Sequence, residues 1–192
     1  MGESVHLKKY TGFIMLSVLL IALTAGLSIT VLTSRNEKKA EDKTVTAKYF
    51  EGKELPIFKM TTTDGKIIDS QGLEGKPTVI MEWASWCPHC QDAMPIMNKK
   101  YLKYKDKVNF VFLNANGSSN GVETKEKAAK YIKDKNYQIP FVYDMNMESS
   151  DLLKVDSVPT YFFVDKSGKV QNVTTADLTS DDVEKLLAKI MS

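Results

Sequence analysis

The chain has 192 residues, enough for one ordinary domain plus an appendage. Hydrophobic residues make up 43% and charged residues 26%, a balance that excludes an intrinsically disordered chain. Lys and Arg number 26 against 24 acids, a net charge of +2, so there is no broad basic footprint for nucleic acid.

After a tail of residues 1–9, residues 10–32 form a run of 23 without a formal charge. As a helix this run is about 34 Å long, against a hydrocarbon core of roughly 30 Å. It reads as a single transmembrane signal-anchor. A cleaved leader has a shorter apolar region, about 7–15 residues, and a small-x-small cleavage site. Ala22 to Ala25 makes a poor one. A buried core helix fits badly because the run is apolar on every face. No cysteine lies nearby, which excludes a thioether-linked lipid. Lys8 and Lys9 precede the run and Arg35, Lys38 and Lys39 follow it, so charge alone does not orient it. The short leading tail and the cysteine usage place the following domain on the extracytoplasmic side of the cell membrane. Residues 33–48 carry eight charges of mixed sign and read as a tether.

Residues 49–192 read as one α/β domain with a mixed central sheet. A short strand is expected over 55–60, a turn at Thr63-Asp64-Gly65-Lys66, and a return strand from Ile67. Residues 77–83 are a continuous apolar run, as in a central strand covered on both faces. A helix is expected over 88–104, kinked at Pro95. A strand over 108–113 and a lysine-rich helix over 123–135 follow, then a strand over 139–143, a helix over 147–155 and a strand over 159–164. The turn Asp165-Lys166-Ser167-Gly168 leads to a strand over 169–173. Thr179-Ser180-Asp181-Asp182 is a capping box for a last helix to Met191.

The only two cysteines form Cys87-Pro88-His89-Cys90, straight after the central strand. Disulfide exchange needs a nucleophilic thiolate and a second thiol able to resolve the mixed disulfide. A cysteine capping a helix gains free backbone N–H groups and the positive end of the helix dipole. In such motifs the first thiol falls from about 8.5 to roughly 3.5–7.5. Cys90 lies one turn in and resolves. Zinc is excluded on ligand count, since the only other histidine is His6. Haem attachment needs His after the second cysteine, where Gln91 stands. No cofactor is expected beyond a redox-active Cys87–Cys90 disulfide. His89 either adds positive charge beside the thiolate or is an ordinary exposed residue. Trp86 roofs the site or packs half-exposed, and Trp83 belongs to the core. Val158-Pro159 opens a strand, where the peptide is either trans or the rarer cis.

The stretch Trp83-Ala84-Ser85-Trp86-Cys87-Pro88-His89-Cys90 resembles the active site of the thioredoxin superfamily. The resemblance covers about residues 50–190 and is closest to the membrane-tethered TlpA/ResA-like branch. It rests on the anchor, on an extra helix-bearing segment over 115–138, and on Val158-Pro159-Thr160-Tyr161-Phe162 leading into Val164-Asp165-Lys166-Ser167-Gly168. It implies a thioredoxin fold, a nucleophilic Cys87, a resolving Cys90, and a cis Pro159 shaping the substrate groove. Two positions depart from the family. Thioredoxins have a buried acid six residues before the first cysteine, where Met81 stands; ResA-like reductases have Glu three residues after the second, where Ala93 stands. Glu82 is the nearest acid, but alternation along the strand points it to the other face. Pro88-His89 and Val158 resemble the Dsb-type oxidases, so the motif leans toward oxidase or isomerase on a scaffold that leans toward reductase.

The resemblance implies clients that are exported protein thiols and disulfides, and a membrane partner that recycles the pair. The alternatives are a reductase for cytochrome c maturation or thiol repair, and a copper-binding assembly factor holding Cu(I) between the two thiolates.

Overall fold

The computed structural model describes residues 46–117 and 122–192. The expected anchor and most of the tether lie outside the described residues. Among the described residues no helix is long and apolar enough to cross a membrane.

The strands are β1 (Lys59–Thr61), β2 (Ile67–Asp69), β3 (Thr78–Trp83), β4 (Asn109–Asn116), β5 (Phe141–Met145), β6 (Thr160–Val164) and β7 (Val170–Thr174). They form one seven-stranded sheet in the order β2-β1-β5-β4-β3-β6-β7. β3, β4 and β5 run parallel, while β1, β6 and β7 supply antiparallel pairings. The helices are α1 (Pro88–Tyr104), α2 (Lys125–Asp134), α3 (Glu148–Leu153) and α4 (Ser180–Met191).

Every residue of β3 is buried, so its alternation sorts side chains between two cores rather than between core and water. Val79, Met81 and Trp83 join Phe110, Phe112, Tyr161 and Phe163 under α1, α2 and α4. Ile80 joins Val111, Leu113, Phe162 and Val164 on the other face, with Leu153 of α3 and Phe50. Each large side chain so enclosed contributes about 1.5–3 kcal/mol. The sheet is therefore rigid where β3 ends, and that end carries the cysteines.

α1 has the bounds expected of it and runs on through Pro95. Pro95 lies on the exposed face, where water can take the carbonyl its missing N–H leaves free. Lys100 and Lys103 donate to Glu184 at 2.5 and 2.8 Å, and Tyr104 donates to the same carboxylate, tying α1 to α4. The capping box of α4 forms as the sequence indicates, with Asp182 N–H donating to Thr179 Oγ1 at 3.2 Å.

Several expected boundaries need correction: the strand expected over 55–60 is β1 at Lys59–Thr61, and that expected over 139–143 is β5 at Phe141–Met145. β4 runs three residues beyond 113, because Asn114 and Asn116 continue it as buried polar residues. α2 begins at Lys125, capped by Thr124, so Glu123 is not its first residue. Where β4 ends, Gly117 has φ +99, and a Cβ there would meet the Asn146 backbone nitrogen at 2.8 Å. That close approach admits glycine alone.

Candidate active site

Cys87 is the N-cap of α1 and Pro88 follows at the first helical position, where a missing N–H costs nothing. Cys90 N–H donates to Cys87 Sγ at 3.3 Å, and Gln91 N–H to the Cys87 carbonyl at 3.0 Å. No acid stands in the first turn of the helix. Both cysteines carry free thiols, with Cys87 3% and Cys90 0% exposed. Trp86 is 50% exposed beside them, while Trp83 is wholly enclosed.

The Val158–Pro159 peptide is cis. The Cys87 thiol donates to the Val158 carbonyl of that peptide at 3.2 Å. Thr160 Oγ1 donates to the Ser157 carbonyl at 2.6 Å and closes the turn from beneath. Cys87, Trp86, Val158 and Pro159 are thus brought together from chain segments some seventy residues apart.

Glu123 is the carboxylate that the sequence did not reveal. It is 2% exposed and accepts from Ser85 N–H at 3.0 Å, Ser85 Oγ at 2.7 Å and Asn114 Nδ2 at 2.8 Å. Gln91 Nε2 donates to the Ser85 carbonyl at 2.8 Å, so the loop entering Cys87 is pinned from two sides. Burial pushes the Cys90 thiol well above its ordinary value; its hydrogen bond with Cys87 and the Glu123 charge add to this. Tyr161 is pushed up likewise, by burial and then by the charges of Cys90, Asp177 and Cys87. Its hydroxyl has no hydrogen-bond partner among the described residues. One signal for Glu123 was present in the sequence: Thr124 is a good N-cap, which leaves Glu123 outside the helix.

Glu82 is not the missing acid. It lies on the opposite face, wholly buried, where Ser150 Oγ meets its Oε1. Ser150 Oγ also lies 2.5 Å from Asp144 Oδ2, and Asp144 accepts from the N–H groups of Ser149 and Ser150 at 2.8 and 2.7 Å. Burial pushes the Glu82 carboxyl up to about 8; the Ser150 hydrogen bond opposes this and the Asp144 and Asp151 charges add to it. Met81 and Ala93, at the two positions where the resemblance implies acids, are simply buried among apolar side chains.

His89 is exposed, and its Nδ1 lies 3.0 and 3.2 Å from the two carboxylate oxygens of Asp177. Asp177 stands in the loop between β7 and α4, and the sequence did not point to it.

A cysteine pair at a helix start, a carbonyl preceding a cis proline against the first sulfur, and a buried carboxylate that holds the entering loop and acts through its charge on the second suit thiol–disulfide exchange. The Redoxin family pattern matches residues 50–190. The chain belongs to the Redoxin family. A relative named thiol-disulfide oxidoreductase ResA, from Bacillus cereus, is 34% identical over 140 residues, covering 72% of this chain and 78% of its own. A protein of the same name from Oceanobacillus iheyensis is 28% identical over 188 residues, covering 95% and 91%. A thiol:disulfide interchange protein of Chlorobium tepidum superposes with a TM-score of 0.62 at 23% identity, covering 72% of this chain and 96% of that one. That likeness shows the fold to be thioredoxin-like, and the family and its relatives make this redoxin a thiol-disulfide oxidoreductase.

Proposed function

We propose that the chain is a membrane-anchored, extracytoplasmic reductase of protein disulfides that works through Cys87 and Cys90. The Cys87 thiolate attacks a client disulfide, forming a mixed disulfide and releasing one client thiol. The Cys90 sulfur then attacks Cys87, closing the Cys87–Cys90 disulfide and releasing the second client thiol. Two electrons and two protons pass from the pair to the client, and a membrane partner must return them. Half-exposed Trp86 and the Val158–Pro159 turn provide the surface on which an extended client segment lies.

The observation that carries the reductive direction is the setting of Cys90. A resolving thiol that is buried beside the Glu123 carboxylate holds its proton. Thiolate stabilisation is then confined to Cys87, and the less the reduced form is stabilised the more readily the pair gives up electrons. The acceptor of that proton in this reading is Glu123, whose charge acts on Cys90. The extracytoplasmic setting is supported by the uncharged run at 10–32 and by the absence of cysteines beyond the redox pair. The Pro88-His89 dipeptide favours a second reading, an oxidase or isomerase, because a positive neighbour stabilises the Cys87 thiolate and with it the reduced form.

The test is Cys90→Ser in intact cells. The variant should accumulate mixed disulfides with exported proteins, and an impermeant maleimide should label Cys87 once those disulfides are reduced with an impermeant reductant. The native pair should be found reduced on rapid alkylation. A native pair found oxidised supports the oxidase reading. No mixed disulfides, or labelling only after lysis, contradicts the proposal.

A further inference from the structure

We propose that Asp177, acting through His89, sets how strongly the redox pair favours its reduced form. This rests on the reading of Cys87 and Cys90 as the redox couple. A carboxylate only accepts, so both Asp177 oxygens at 3.0 and 3.2 Å require a hydrogen on His89 Nδ1. The ring is therefore held in one orientation, as imidazolium or as the Nδ1–H tautomer.

His89 is the second residue of α1 and Cys87 is its N-cap, so the ring and the sulfur share the positive end of one helix. α1 brings no acid of its own to that end. Asp177 supplies one from the β7–α4 loop. Whichever form the ring takes, the Asp177 carboxylate adds a negative charge on the side chain next to Cys87 and so disfavours the Cys87 thiolate. The other ionisable groups around the pair include Cys90 on α1, Tyr131 on α2, Tyr161 on β6 and Glu123 ahead of α2, whose charged forms are all negative. Against them His89 presents a ring that can carry a positive charge, and Asp177 occupies its Nδ1. A CPHC motif that would otherwise favour the dithiol is drawn toward the disulfide, which makes the pair a better electron donor. Asp177 touches neither sulfur and is a positioning residue.

The experiment is Asp177→Asn in the full chain, alone and with His89→Gln, equilibrated in glutathione buffers. There the pair passes two electrons and two protons to glutathione disulfide, giving two glutathiones and the Cys87–Cys90 disulfide. Both side chains are exposed, so neither change disturbs packing. An exposed pair of this kind supports a shift of about two- to fivefold toward the dithiol. That is roughly 10–20 mV less negative, at about 30 mV per tenfold. With His89→Gln already present, Asp177→Asn should shift nothing measurable. No shift on Asp177→Asn while His89 is native, or an equal shift with and without His89→Gln, overturns the inference while leaving the couple intact. A pair that fails to exchange with glutathione at all overturns the redox reading itself.

Discussion

Replacing Glu82 by glutamine should remove a pH dependence from the stability of the fold. A hydroxyl has one hydrogen to donate, yet Ser150 Oγ faces carboxyl oxygens of both Glu82 and Asp144. Asp144 already accepts from two backbone N–H groups, as an ionised carboxylate does. Ser150 therefore donates to Asp144, and Glu82, pushed up to about 8, keeps its proton and donates to Ser150. The unfolded chain gives that proton up near the ordinary 4.5. Between those values the folded state binds more protons than the unfolded state, so stability falls as pH rises. The slope is about 1.4 kcal/mol per pH unit, with a ceiling of about 5 kcal/mol by pH 8. Glutamine reproduces the protonated acid, since its amide also donates to Ser150, and it does not titrate. Urea unfolding followed by tryptophan fluorescence at pH 5, 6, 7 and 8 reads the difference. Native and Glu82→Gln chains should be close at pH 5, and the variant should be several kcal/mol more stable at pH 8. Parallel curves across that range would refute the shared-proton arrangement.

Glu123→Ala strands three donors beside the redox loop and should cost about 2–4 kcal/mol in urea unfolding. Glu123→Gln should keep most of that stability yet slow release of the mixed disulfide by about a hundredfold in stopped-flow assays, since a positioned base is lost. Ser150→Ala removes the hydroxyl between Glu82 and Asp144 and should lower stability by about 1–3 kcal/mol by the same unfolding assay. Thr179→Ala removes the hydroxyl half of the α4 capping box, leaving the residue-179 N–H to Asp182, and should cost about 1 kcal/mol, read as a lower melting temperature, with turnover unchanged.

Local pattern carried much of the fold into the sequence. The apolar run 77–83, the motif behind it and the stripe at Ala93, Met94 and Met97 fix β3 and α1, because burial and period agree there. The α4 cap is legible because Thr179 and Asp182 contact each other over three residues. What could not be read depends on distant contacts. Asn114 and Asn116 look like a strand end until Glu123 folds back to pair with Asn114. Glu123 itself hides in a lysine-rich stretch whose charge suggests a solvated helix. Asp177 lies 88 residues from His89 on an exposed loop, and no periodicity marks the pairing. His89 read alone therefore leans toward an oxidase, and only the folded chain shows the carboxylate that offsets it.

The most direct measurement is the reduction potential of the Cys87–Cys90 couple in the full chain, equilibrated in thiol buffers at pH 7. Buried Cys90 beside Glu123, with His89 paired to Asp177, predicts a value near or below about −270 mV. A value of about −120 to −180 mV would contradict the reductive direction and place the pair with the oxidants and isomerases.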